Sequence, residues 1–115
     1  MQAEEIKDRV LAELDELKAQ NIVALDVRAL TSIADYMVIA SGTSDRHVKA
    51  LSGKVVEALK ASGHKALGVE GEKEGEWVLV DFGDVIVHVM LPQVREFYKL
   101  ENLWNIKHKE GLEPA

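Results

Sequence analysis

No cysteine occurs among the 115 residues, which removes disulfides, thiolate zinc sites, thiol nucleophiles and redox motifs in one step. Any catalysis has to come from other groups. Long apolar runs are missing too: stretches such as Val85-Ile86-Val87 fall far below the ~20 residues that a membrane span requires. The acidic N-terminus has neither a signal-peptide pattern nor an Arg-rich transit segment, so the expectation is a cytoplasmic protein, bacterial rather than organellar. Basic charge is in deficit, with 14 Lys and Arg against 20 Asp and Glu, a formal net of −6. Binding to free RNA or DNA by counterion release needs clustered cations on phosphates and is disfavoured. A basic protein is the better partner, because a negative surface speeds encounter with positive patches and rejects other anions.

What is present suffices for one core, since 47% of the residues are hydrophobic in a chain of single-domain length. Glu4 and Glu5 precede Ile6, Val10, Leu14 and Leu17 at helical steps, predicting an amphipathic helix that ends near Gln20-Asn21. The β-branched run from Ile22 to Val27 predicts a buried strand. Ala29–Ile33 reads as a connection, and Asp35–Ser41 as a second strand closed by the turn signal Ser41-Gly42-Thr43. Thr43 or Ser44 caps a second helix with Asp45 in its first turn; Val48, Leu51, Val55 and Leu59 share a face, and Ser62-Gly63 ends it. Lys65–Glu70 reads as a weaker strand and Gly71–Gly75 as a solvent loop.

Glu76–Phe82, a Gly83-centred turn and Asp84–Leu91 predict a hairpin. Alternation puts Trp77, Leu79 and Asp81 on one face and Val78, Val80 and Phe82 on the other. Pro92 opens a last helix carrying Val94, Phe97, Tyr98 and Leu100, with Trp104 packed behind it. Residues 105–115 lack an apolar repeat and read as a flexible tail, leaving residues 1–104 as the domain. The order of elements implies an α/β fold, a mixed five-stranded sheet flanked by helices.

The blocks Ala24-Leu25-Asp26-Val27, Ser32-Ile33-Ala34-Asp35-Tyr36, Ser41-Gly42-Thr43-Ser44-Asp45-Arg46-His47-Val48, Gly68-Val69-Glu70-Gly71, Trp77 through His88 and Arg95 through Trp104 resemble the ribosomal silencing factor, or Iojap-like, family. The resemblance runs from the first helix to Trp104. It implies a nucleotidyltransferase-like fold without transferase activity, in a factor that binds ribosomal protein L-fourteen of the large subunit on the face meeting the small subunit. Binding there blocks subunit joining and represses translation in nutrient limitation or stationary phase. The resemblance also implies a homodimer in the free protein, and no cofactor. An acidic protein acting on an RNA machine fits a basic ribosomal protein as its target better than rRNA.

For the contact surface, the hairpin and its preceding loop stand out. Trp77 beside Glu70, Lys73 and Glu76 makes an aromatic anchor within a charged rim, the usual anatomy of an interface hot spot, and Leu79, Asp81 and Met90 extend the patch. The alternative is that Trp77 is a core aromatic on a half-buried strand. Ser41–Asp45 has the look of a phosphate-cradling turn at a helix N-terminus, yet it lacks the P-loop Lys, and Lys54–Ala58 supplies one acid, Glu57, where a transferase needs two for Mg²⁺. A capped helix start is the simpler reading. Ser44, Asp45, Arg46 and His47 form either that cap or a surface recognition cluster. Asp81-Phe82-Gly83 matches the kinase metal-binding triplet without the rest of a kinase, and reads as a turn. His47, His64, His88 and His108 are too scattered for a metal site, and His88, interrupting an apolar strand, reads as a hydrogen-bonded structural histidine. No catalytic residue is assigned. A nucleotide-binding enzyme and a generic dimeric adaptor are the competing classes.

Overall fold

A computed structural model describes residues 2–98, and its elements follow the order read from the sequence. They are α1 (Ala3–Glu16), β1 (Gln20–Asp26), β2 (Tyr36–Ser41), α2 (Asp45–Ala61), β3 (Gly68–Glu70), β4 (Trp77–Asp81), β5 (Val85–Met90) and α3 (Pro92–Tyr98). The places expected for Leu100 and Trp104, and the tail from residue 105, lie outside the described residues.

The strands form one mixed sheet in the order β1-β2-β5-β4-β3. Its centre is the parallel pair β2 and β5, in which Val38 lies beside Val87 and Ile39 beside His88; the other neighbours run antiparallel. A central parallel pair is covered on both faces, which is why these two strands are nearly continuous apolar runs. Helices α1 and α2 cover one face. Ile6, Val10 and Leu14 from α1 and Val48, Leu51, Val55 and Leu59 from α2 meet Val38, Val78, Val80 and Val87, all fully buried. Truncating one of them, Leu51→Ala for instance, costs about 2–5 kcal/mol, because transfer and cavity terms add. Across the top of the two helices Lys54 reaches Glu13 at 3.6 Å and Glu16 at 3.3 Å, and Arg9 reaches Glu13 at 3.1 Å.

The other face carries a smaller cluster of Val27, Ala34, Met37, Ile39 and Met90, with Leu25, Trp77, Ile86 and Val94 packed against it. Helix α3 closes the end of this face near Met90. The buried Arg95 donates from Nη1 to Ser41 Oγ at 2.9 Å, tying α3 to the last residue of β2.

Two expectations need correction. Helix α1 stops at Glu16, a turn before Gln20-Asn21. Lys18 adopts φ +61°, its amide bonds Asp15 O, and the Ala19 amide bonds Leu14 O, which is a Schellman end with lysine in the place usually taken by glycine. Strand β1 is an edge strand rather than a buried one, and its residues alternate between exposed and half-buried. Its pairing with β2 is interrupted by a register shift between Gln20 and Val23, with Asn21 at φ +50°, and such an irregularity bends and twists an edge strand away from pairing with other chains. Helix α2 ends where Ser62-Gly63 signals. Gly63 sits at φ +87°, and the His64 amide reaches Leu59 O at 2.8 Å.

Candidate partner-binding site

Pleating carries the hairpin's alternation into space. Trp77, Leu79 and Asp81 are half-buried and face away from α1 and α2, while Val78, Val80 and Phe82 are buried beneath those helices. Register sets their neighbours: Trp77 lies opposite Met90, Leu79 opposite His88 on one side and opposite Glu70 on the other, and Asp81 opposite Ile86 and Gly68. The exposed β3 residue Glu70 therefore shares a face with Leu79. Glu70, Gly71, Trp77 and Leu79 line a shallow recess of about 260 Å³.

Of the residues that the sequence groups with Trp77, the structure brings Glu70 and Leu79 into that recess and leaves Lys73 and Glu76 out of it. The connecting loop leans the other way. Gly75 at φ +75° is packed so closely on α2 that a Cβ there would meet Lys49 Cε at 2.8 Å and Asp45 O at 2.9 Å. Gly75 is consequently buried, although the loop around it is exposed as expected. Met90 is also displaced from its expected role: it is fully buried, so it supports the face from within and offers no contact surface. Asp81 keeps its place on the face, with one carboxylate oxygen committed to the turn, Oδ1 accepting from the Gly83 amide at 2.7 Å.

The residue that sequence reading left out of the patch is His88. Its Nδ1 accepts from the Trp77 indole Nε1–H at 2.9 Å, and the two rings lie 5.9 Å apart, inclined by 49°. Burial pushes the His88 pKa down to about 4, so the imidazole is neutral near pH 7, with its proton on Nε2. The expected hydrogen-bonded structural histidine is thus present. Trp77 is half-buried, packed on the second cluster and also lining the recess.

At the start of α2 the geometry favours a helix cap over an anion cradle. Ser44 Oγ accepts from the His47 amide at 3.1 Å. The Gly42 amide is spent on Met90 O at 3.0 Å, and a Cβ on Gly42 would lie 2.8 Å from Val48 Cγ2, so this glycine admits the helix itself. His47 is inward-looking: Nδ1 accepts from the Thr43 amide at 2.9 Å, and Nε2–H donates to Leu17 O at 2.8 Å. It ties the start of α2 to the end of α1, so both ring nitrogens are engaged within the fold. Glu57, the lone acid of the transferase comparison, is exposed on α2. Among the described residues no group of three or more His, Asp or Glu is placed to hold a metal, and no helix is long and apolar enough to cross a membrane.

Comparison with known proteins follows the same lines. The family model described as "Ribosomal silencing factor during starvation" matches residues 1–114. The ribosomal silencing factor of Chromobacterium violaceum is 47% identical over 104 residues, covering 90% of this chain and 85% of that protein. That of Haemophilus influenzae is 44% identical over 91 residues, covering 79% and 89%. A crystal structure of a Chromobacterium violaceum protein superposes with a TM-score of 0.90 at 47% identity, covering 91% of this chain and 88% of that one.

Proposed function

From the premise that this chain belongs to the ribosomal silencing factor family, we propose that it acts on the large ribosomal subunit through ribosomal protein L-fourteen. Bound there, it keeps the small subunit from joining and represses translation when nutrients are short. The observation that carries the reading is the half-buried Trp77, flanked by Leu79 and Glu70 on the sheet face that α1 and α2 leave uncovered. A rigid aromatic beside an aliphatic side chain and a carboxylate suits a basic protein surface, with the aromatic as anchor and the carboxylate as the charged rim. The net charge of −6 acts in the same direction by steering encounter. The role is regulatory, the place of action is the cytoplasm, and the free protein pairs with a second copy through the same face, so that dimer and ribosome compete.

Titration calorimetry of the purified protein with isolated L-fourteen tests this. Binding is expected in the wild type, and Trp77→Ala, checked by circular dichroism for folding, weakens it by about 2 kcal/mol or more. Unchanged affinity in a folded Trp77→Ala protein removes the recess from the interface.

A further inference from the structure

We infer that His88 is a positioning residue for the partner-binding face, acting through Trp77; the inference rests on the reading of Trp77 as the anchor. The indole begins β4 at the edge of the face, and it has a large flat ring whose useful side is the one turned to the recess with Leu79 and Glu70. An anchor of this kind binds more tightly when its rotamer is fixed before the partner arrives, because immobilising a free side chain on binding lowers affinity. The fixing group comes from β5. His88, 5% exposed, stands diagonally across from Trp77: its register partner is Leu79, whereas that of Trp77 is Met90. From there its Nδ1 takes the indole Nε1–H at 2.9 Å. A donor that points inward to a buried acceptor cannot turn outward without breaking that bond, so the ring is held with its polar edge down and its apolar flank on the recess.

The chemistry also explains the residue type. An aliphatic side chain at this position, between Ile86 and Met90, would suit the apolar strand better than an imidazole and would avoid burying polar nitrogens. What the site requires is a buried acceptor for the indole N–H. A histidine supplies that acceptor only while its ring is neutral.

The test compares Trp77→Ala, His88→Leu and His88→Asn with the wild type, reading L-fourteen affinity and, by NMR, the exchange of the indole N–H with solvent. The Oδ1 atom of asparagine falls near the place of a histidine Nδ1, so His88→Asn retains an acceptor and His88→Leu does not. The wild-type Trp77 indole N–H is expected to exchange slowly in the free protein. His88→Leu, folded, should exchange it fast and bind roughly tenfold more weakly, and His88→Asn should recover most of both. A Trp77 indole N–H that exchanges freely in the wild type overturns the inference without any variant having to fold. Wild-type affinity in His88→Leu alongside lost affinity in Trp77→Ala overturns the positioning role alone. Wild-type affinity in Trp77→Ala removes the anchor reading, and this inference with it.

Discussion

The indole of Trp77 and the imidazole of His88 are joined across adjacent strands, Nε1–H donating to Nδ1 at 2.9 Å, and the bond requires His88 to stay unprotonated. That requirement has a thermodynamic consequence. The His88 pKa falls from 6.5 to about 4 on burial, so between those values the unfolded chain binds a proton that the folded chain refuses. Stability therefore rises with pH through this window, is complete above about pH 6.5, and is lost as pH falls toward 4. The shift corresponds to about 3 kcal/mol. Urea unfolding at pH 7.5 and pH 4.5 should show this loss in the wild type and much less of it in His88→Asn; equal pH dependence in both proteins would remove His88 as its source.

Two glycines should respond to alanine in opposite directions. Gly71 has φ +84°, and a Cβ there would overlap Trp77 O, so Gly71→Ala must strain the backbone or move β4. A loss of more than about 1–2 kcal/mol is expected. Gly53 lies exposed within α2 with nothing within 4 Å of a Cβ, and Gly53→Ala should add about 1 kcal/mol by removing helix-breaking entropy. Thermal melts of the two variants give the signs directly.

The start of α2 is expected to be a structural junction. Ser44→Ala removes the cap acceptor for the His47 amide and should cost about 1 kcal/mol. His47→Ala leaves the Thr43 amide and Leu17 O without their partner and should cost about 1–3 kcal/mol. Both variants should keep wild-type affinity for L-fourteen once folded, because neither side chain lies on the recess face; a binding defect at full folding would return this cluster to the interface.

Charge reversal at Glu70 should act on the rate of encounter. The side chain is exposed at the rim of the recess, so Glu70→Lys should slow association with L-fourteen several-fold at low ionic strength and converge on the wild type as salt is raised. Stopped-flow association over a salt series distinguishes this from a uniform loss of contact, which would be independent of salt.

The sequence made the sheet legible because strands and helices differ in period. Alternation from Trp77 to Phe82 assigned each side chain to its correct face, and the four-residue steps of α2 together with Ser62-Gly63 bounded that helix. What stayed hidden depends on chain neighbours. The run Ile22–Val27 has the composition of an interior strand and lies at an edge, since only the pairing order β1-β2-β5-β4-β3 decides that. Helix α1 ends on Lys18 in a left-handed conformation, a position for which lysine gives no signal. The site was half legible for the same reason. Glu70 and Leu79 meet Trp77 through register, whereas Lys73, close to Trp77 in sequence, sits in a loop that Gly75 directs onto α2. The link from His88 to Trp77 spans eleven positions and follows from strand pairing alone.

The central claim is that this protein holds ribosomal subunits apart, and sucrose-gradient sedimentation tests it most directly. Purified protein is mixed with separated large and small subunits, each alone and then together under joining conditions. Co-migration with the large subunit alone, and a reduced peak of joined ribosomes that recovers with Trp77→Ala, is the predicted result. Protein that stays at the top of the gradient while joining proceeds normally would contradict it.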